Sequence, residues 1–131
     1  MTVTHTVGDV MTPNPVSISE AASLAEAGSL LESRKISGMP VVDASGAVVG
    51  VVSQTDLIRA QANPRFHSNW RGLAVREIMT TPALTIPSTA GLDEAARLMG
   101  ERSVHRLVVT DAAATPIGII SASDLVRSWL G

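Results

Sequence analysis

The chain repeats itself. Displaced by 68 residues it lies on its own sequence without a gap, with Met11-Thr12 on Met79-Thr80, Gly50 on Gly118, Ser53 on Ser121 and Asp56-Leu57 on Asp124-Leu125. Positions 11–59 and 79–127 share 17 identities in 49. A period of this length marks one supersecondary unit made twice. Two copies of a unit can build a pocket whose walls come from different halves, so the seam is where function is expected. A unit of about 60 residues buries only ~60% of the surface its unfolded chain exposes. The halves are therefore expected to fold together around one shared core, with residues 1–62 as the first repeat, 63–74 as a linker and 75–131 as the second repeat.

Composition narrows the function. A net charge of −2 with no cluster of basic residues argues against nucleic-acid binding, which needs many Lys and Arg contacts to phosphate. The chain has no cysteine, which excludes a disulfide scaffold and thiolate catalysis. No apolar run reaches 18 residues, so no membrane helix and no membrane partner are expected. Met1-Thr2-Val3-Thr4-His5 lacks the basic and apolar regions of a signal peptide. A soluble, cytoplasmic protein is the expectation.

Each half reads in the same order. A short strand (Val16–Ile18; Leu84–Ile86) follows a Pro-bearing turn. A helix follows, with Leu24, Ala27, Leu30, Leu31 and Arg34 in the first copy and Leu92, Ala95, Leu98, Met99 and Arg102 in the second. Apolar residues three and four apart put one helix face on a core. Strands Met39–Val42 and Val48–Ser53 flank Asp43-Ala44-Ser45-Gly46, whose Asp, Ser and Gly are turn formers. Their counterparts are Leu107–Thr110 and Ile117–Ser121. A short helix closes each copy, Thr55–Ala60 and Ser123–Leu130. The fold class is thus α/β (α+β): two β-α-β-β-α repeats related by pseudo-twofold symmetry. The segment Gln61–Ala74 carries Phe66 and Trp70, which either cover exposed core or make the segment a lid or a partner contact.

The densest local pattern is Gly50-Val51-Val52-Ser53-Gln54-Thr55-Asp56, echoed by Gly118-Ile119-Ile120-Ser121-Ala122-Ser123-Asp124. A strand runs into a hydroxyl and then a carboxylate at the start of a helix. Ser-x-x-Asp approximates a capping box, in which hydroxyl and acid satisfy free backbone N–H groups. The same atoms can hold a ligand. An ionised carboxylate accepts two hydrogen bonds from vicinal hydroxyls such as a ribose diol, and Thr55 or Ser123 stands beside it. Charge-assisted hydrogen bonds are worth about 1.5–3 kcal/mol each.

One place breaks the symmetry. Ile36-Ser37-Gly38-Met39-Pro40 in the first copy is Val104-His105-Arg106-Leu107-Val108 in the second. Arg suits bidentate phosphate contact and His adds a hydrogen bond or partial charge. Either the pair is a solvated Arg beside a half-buried His, or, opposite a ribose-binding Asp, it is a phosphate clamp.

These residues make the chain resemble the cystathionine-β-synthase (CBS) domain family, as a stand-alone tandem pair of the kind called a Bateman module. The resemblance spans about Gly8–Arg59 and Val75–Trp129. It rests on Val10-Met11-Thr12 and Ile78-Met79-Thr80, on Gly38-Met39-Pro40-Val41-Val42-Asp43, and on the two Gly-x-x-Ser-x-Thr/Ser-Asp segments. It implies two clefts between the repeats, a homodimer, and adenosine-containing ligands: AMP, ADP, ATP or S-adenosylmethionine. Carried over, one cleft combines Thr55 and Asp56 with Ala83, Leu84, Val104, His105 and Arg106. The other combines Ser123 and Asp124 with Pro15, Val16, Ile36, Ser37 and Gly38. The His-Arg pair equips the Asp56 cleft better for a phosphorylated ligand.

The resemblance thus implies a regulatory module sensing adenine nucleotides. No cofactor is expected to be required, and since the sequence shows no catalytic, transport or DNA-binding domain, any effector it regulates is expected to be a separate protein. The alternative is a ligand-free homodimerisation or protein-interaction module, in which both Asp residues only cap helices. An enzyme is not expected. There is no Gly-x-Ser-x-Gly elbow or Walker-type sequence, and His5, His67 and His105 are too scattered for a metal motif.

Overall fold

The computed structural model describes residues 5–65 and 69–130. In chain order its first elements are helix α1 (Val7–Val10), strands β1 (Thr12–Pro13) and β2 (Ile18–Ser19), helix α2 (Leu24–Arg34), strands β3 (Gly38–Val42) and β4 (Val48–Ser53), and helix α3 (Gln54–Ala62). Strand β5 (Thr85–Pro87), helix α4 (Leu92–Arg102), strands β6 (Arg106–Thr110) and β7 (Pro116–Ser121), and helix α5 (Ala122–Leu130) follow. Each repeat thus carries the predicted strand-helix-strand-strand-helix order. No described helix is long and apolar enough to cross a membrane.

The chain divides into two compact units that do not coincide with the sequence repeats. One is Val16–Ala83; the other joins Met1–Pro15 to Leu84–Gly131. The lead-in of each repeat therefore belongs to the unit formed by the rest of the other repeat. The sequence predicts one core shared by both halves. The buried residues form a cluster within each unit, and each unit takes in the lead-in segment of the other repeat.

In the unit Val16–Ala83, β2 pairs parallel with β3, and β3 antiparallel with β4. Helix α2 starts where Ser23 Oγ accepts from the Glu26 N–H at 3.1 Å, a cap that satisfies one orphan donor of the first turn. It ends at Lys35, which adopts a left-handed φ of 55°. Leu24, Ala27 and Leu31, spaced three and four apart, are its buried face. They pack with Ile18, Met39, Val41, Val52, Ala60 and Val75. Trp70 and Leu73 lie half-buried against this cluster, which favours core cover for this part of the linker. Phe66 lies outside the described residues.

Pro40 sits fully buried in β3, the middle strand of this sheet, a place where proline is ordinarily excluded because it has no N–H. Towards β4 the register removes the conflict, and towards β2 one bond is forgone: the matching residue of the second repeat, Val108, donates its N–H to the Leu84 carbonyl at 3.1 Å, and Pro40 has no N–H to donate. Pro40 lies opposite Val51, and Val51 directs its backbone bonds elsewhere. Its N–H donates to the Thr80 carbonyl at 3.0 Å and its carbonyl accepts from the Thr80 N–H at 2.9 Å. The lead-in Met79-Thr80 thus runs along β4 as an extra edge.

The second unit repeats the plan with the sheet order β1-β7-β6-β5. Here β1 is the edge, with Thr12 opposite Ile119 and Pro13 opposite Gly118. Val7 joins Ile86, Ala90, Ala95, Met99, Leu107, Val109, Ile120 and Leu125 in the core. The exchange explains why Gly50 and Gly118 are identical in the repeats. A Cβ on Gly50 would come within 2.8 Å of the Thr80 carbonyl, and one on Gly118 within 3.1 Å of the Thr12 carbonyl. Only a residue without a side chain lets the lead-in backbone pass so closely.

Boundaries shift by a few residues. The first strand of each repeat lies later than expected, by two residues at the start of β2, which is also one residue shorter, and by one at β5, because two- or three-residue pairings carry no legible periodicity. The closing helices begin one residue early, directly after the capping serines.

Candidate functional site

Ser53 ends β4 and caps α3. Its Oγ accepts from the Asp56 N–H at 3.3 Å, while Asp56 Oδ2 accepts from the Ser53 N–H at 2.9 Å and the Ser53 hydroxyl at 3.1 Å. The second copy does the same. Ser121 Oγ accepts from the Asp124 N–H at 3.1 Å, and Asp124 Oδ2 accepts from the Ser121 N–H at 2.8 Å. The capping box read from the sequence is real in both copies. Each carboxylate is only 7% exposed, a burial made tolerable by these donors and by the positive end of the helix dipole.

The cap occupies Oδ2 and leaves Oδ1. An ionised carboxylate offers about four acceptor positions, so capping does not exhaust it. Here the copies differ. Asp56 Oδ1 accepts from the Thr80 hydroxyl at 3.1 Å. Asp124 Oδ1 accepts from the Arg127 guanidinium. Asp56 and Thr80 line a cavity of about 320 Å³ together with Arg59, Ala60, Asn63, Glu77, Ile78 and Met79. Asp56 and Arg59 on α3 and Asn63, which caps its C-terminus, line up along one side, and residues 77–80 are the lead-in that the Val51–Thr80 bonds hold in place.

The other predicted residues fall as follows. Thr55 and Ser123 are exposed in the first turns of α3 and α5. His105 and Arg106 are exposed at the head of β6, and the His105 carbonyl accepts from the Ala122 N–H at 2.8 Å. Ser37 matches this, its carbonyl accepting from the Gln54 N–H at 2.9 Å, with Gly38 opening β3. The segment before the middle strand is thereby tied to the closing helix of its own repeat. Val16 and Ile36 pack on the Ile18 cluster, and Leu84 and Val104 on the Ile86 cluster. Pro15 and Ala83 are half-buried at the two crossings between units. Asp56 and Ala83 belong to one unit; Leu84, Val104, His105 and Arg106 belong to the other. Asp124 shares its unit with Ser123 and Pro15, while Val16, Ile36, Ser37 and Gly38 lie in the first.

Sequence reasoning missed Thr80, Arg59, Asn63 and Glu77 at the cavity and Arg127 on Asp124. The signal was present. Thr80 repeats Thr12, and an Arg follows each Asp by three residues, one helical turn on. Among the described residues no three His, Asp or Glu side chains gather as a metal site would need; His67 lies outside them.

Comparison with known proteins identifies the family. A chloroplastic CBS domain-containing protein of Arabidopsis thaliana, CBSX2, is 34% identical over 96% of the chain. The chain spans 64% of that relative's length, and 24% of the length of two larger enzymes it also matches. The structure of CBSX2 in complex with AMP superposes with a TM-score of 0.83 at 37% identity, covering 96% of both chains. The CBS domain pair of protein MJ0100, solved with 5′-methylthioadenosine and S-adenosylmethionine, gives a TM-score of 0.79 at 26% identity, covering 95% of this chain and 98% of that one. The CBS domain profile matches twice, at residues 7–63 and 75–131. The chain belongs to the CBS domain family, with one domain in each repeat.

Proposed function

We propose that this chain is a regulatory module that binds an adenosine-containing nucleotide, with Asp56 accepting hydrogen bonds from the ribose hydroxyls. The supporting observation is Asp56 itself. It is a buried carboxylate with one oxygen spent on the helix cap and the other beside a cavity, in a chain 37% identical to a protein solved with AMP. Thr55 is its candidate partner at the sugar, the His105-Arg106 pair is the candidate for the phosphate, and Ala83, Leu84 and Val104 complete the set that the family resemblance carries over. Ser123 and Asp124, with Pro15, Val16, Ile36, Ser37 and Gly38, form the corresponding second set. Candidate ligands are AMP, ADP, ATP and S-adenosylmethionine, and the role is binding rather than turnover. A ligand shifts the module between states only by its differential affinity for them. The output passes to a separate effector, in a compartment with a nucleotide pool such as the cytoplasm.

The alternative, an interaction module, has its own support. Ile58 is 65% exposed on α3, and Val126, Trp129 and Leu130 are 49%, 64% and 83% exposed on α5. Ile58 and Val126 are the same position in the two repeats. We propose that these residues bury against a second copy, giving a homodimer that is compatible with either reading.

Thermal unfolding with AMP, ADP, ATP, S-adenosylmethionine, adenosine and GMP separates them. A ligand at ~100 times its Kd stabilises by about 2.7 kcal/mol. A shift confined to adenosyl compounds supports sensing. A flat panel with nucleotide-free protein leaves the interaction module.

A further inference from the structure

The two repeats carry the same Asp and the same Arg one helical turn later, yet they use them differently. In α5 the Arg127 guanidinium donates to Asp124 Oδ1. In α3 the corresponding Arg59 makes no ion pair among the described residues and lines the cavity, while the Thr80 hydroxyl holds Asp56 Oδ1. We infer that Arg127 is a latch on Asp124, so that the chain offers its two carboxylates to a vicinal diol unequally and fills the Asp56 site first. This inference rests on the reading of both Asp residues as ribose acceptors.

The chemistry follows from the donors. A diol needs two acceptor positions on or beside one carboxylate. Among the described residues Asp56 accepts hydrogen bonds from neutral donors alone, with Arg59 along the same cavity but not paired to it, and the Thr80 hydroxyl, which both donates and accepts, can rotate to take a ribose proton while Oδ1 takes the other. At Asp124 the entering hydroxyls compete with a cation. A neutral hydroxyl is the weaker partner for a carboxylate, since ionised pairs make the stronger hydrogen bonds. The latch is not a permanent block. Arg127 is 71% exposed whereas Asp124 is 7% exposed, so the guanidinium can swing into water. Its displacement carries the modest cost of an exposed ion pair, a factor of about three to five in affinity.

Calorimetric titration with AMP tests this on five versions of the 131-residue chain: wild type, Asp56→Asn, Asp56→Asn/Arg127→Gln, Asp56→Asn/Arg127→Lys and Asp56→Asn/Asp124→Asn. Asn keeps both helix caps, and Arg127 is exposed, so all five should fold. Asp56→Asn is expected to leave only a weaker site. Adding Arg127→Gln should tighten that site about threefold to fivefold, Arg127→Lys should restore most of the weakness, and Asp124→Asn should remove the site. Equal or weaker affinity in the Arg127→Gln double variant overturns the latch while leaving the sensing function in place. A wild type that binds no AMP overturns the function itself, and the latch with it.

Discussion

Replacing Gly50 by Ala should cost far more than one methyl group suggests. The new Cβ would lie 2.8 Å from Met79 Sδ, 2.8 Å from the Thr80 carbonyl oxygen and 3.1 Å from Thr81 Cγ2. The Met79 side chain is flexible and can turn away. The Thr80 carbonyl is backbone, fixed by the Val51 N–H at 3.0 Å, and falls 0.6 Å short of an ordinary 3.4 Å contact. Retreat lengthens both Val51–Thr80 bonds and draws Thr80 from Asp56. Overpacking of this kind costs about 1–3 kcal/mol, and each weakened hydrogen bond adds up to about 1 kcal/mol. The reduced freedom of the unfolded chain returns about 0.5 kcal/mol. The net is a loss of about 2–3 kcal/mol, or a fall in Tm of about 6–12 °C for a chain of this size. Gly100→Ala is the control. A Cβ there meets nothing within 4 Å in the body of α4, so the same substitution should gain about 0.5–1 kcal/mol. Urea unfolding followed by circular dichroism measures both. A Gly50→Ala midpoint at or above wild type would refute the close approach of the lead-in to β4.

Asp56→Ala removes the acceptor for the Ser53 N–H and the Thr80 hydroxyl and should cost about 1–2 kcal/mol; Asp56→Asn, which still caps, should cost less than about 1 kcal/mol in the same urea assay. The Asp43 carboxyl is held below its ordinary pKa, first by the Ser45 hydroxyl and then by backbone N–H groups of the turn. Because its folded pKa lies below the unfolded value, its contribution is complete above about pH 4 and is lost as pH falls through the folded pKa. The gap in urea midpoint between wild type and Asp43→Ala should therefore be full at pH 6 and shrink as the pH is lowered below 4. Trp129→Glu, on the exposed face of α5, should shift the chain to monomer in sedimentation while leaving its far-ultraviolet spectrum unchanged; an unaltered oligomer would place the dimer contact elsewhere.

Most of the fold was legible because its signals are local. The three- and four-residue spacing of Leu24, Ala27 and Leu31 reports a helix face, and Ser-x-x-Asp reports a helix start, within one or two turns of chain. The exchange of lead-ins was not read. Thr12 pairs with Ile119, and Thr80 with Val51, through contacts of one or two residues that leave no periodic trace. The clue lay in paired identities, Met-Thr at one end of the repeat and Gly50 or Gly118 at the other, whose close approach appears only once the chain is folded. The site divides in the same way. Both Asp residues and their caps were found from spacing. Thr80 and Arg127, which decide what each second carboxylate oxygen does, were passed over because matching residues in both repeats concealed different partners.

The central claim is that Asp56 holds the ribose of an adenosyl nucleotide. Equilibrium titration of the nucleotide-free chain with AMP, beside GMP and an Asp56→Ala protein shown to be folded, tests it most directly. Saturable binding of AMP to the wild type and its loss from the Asp56 site in the variant are the expected results. Equal affinity in the two proteins, or a wild type silent to AMP, ADP, ATP and S-adenosylmethionine alike, would contradict it.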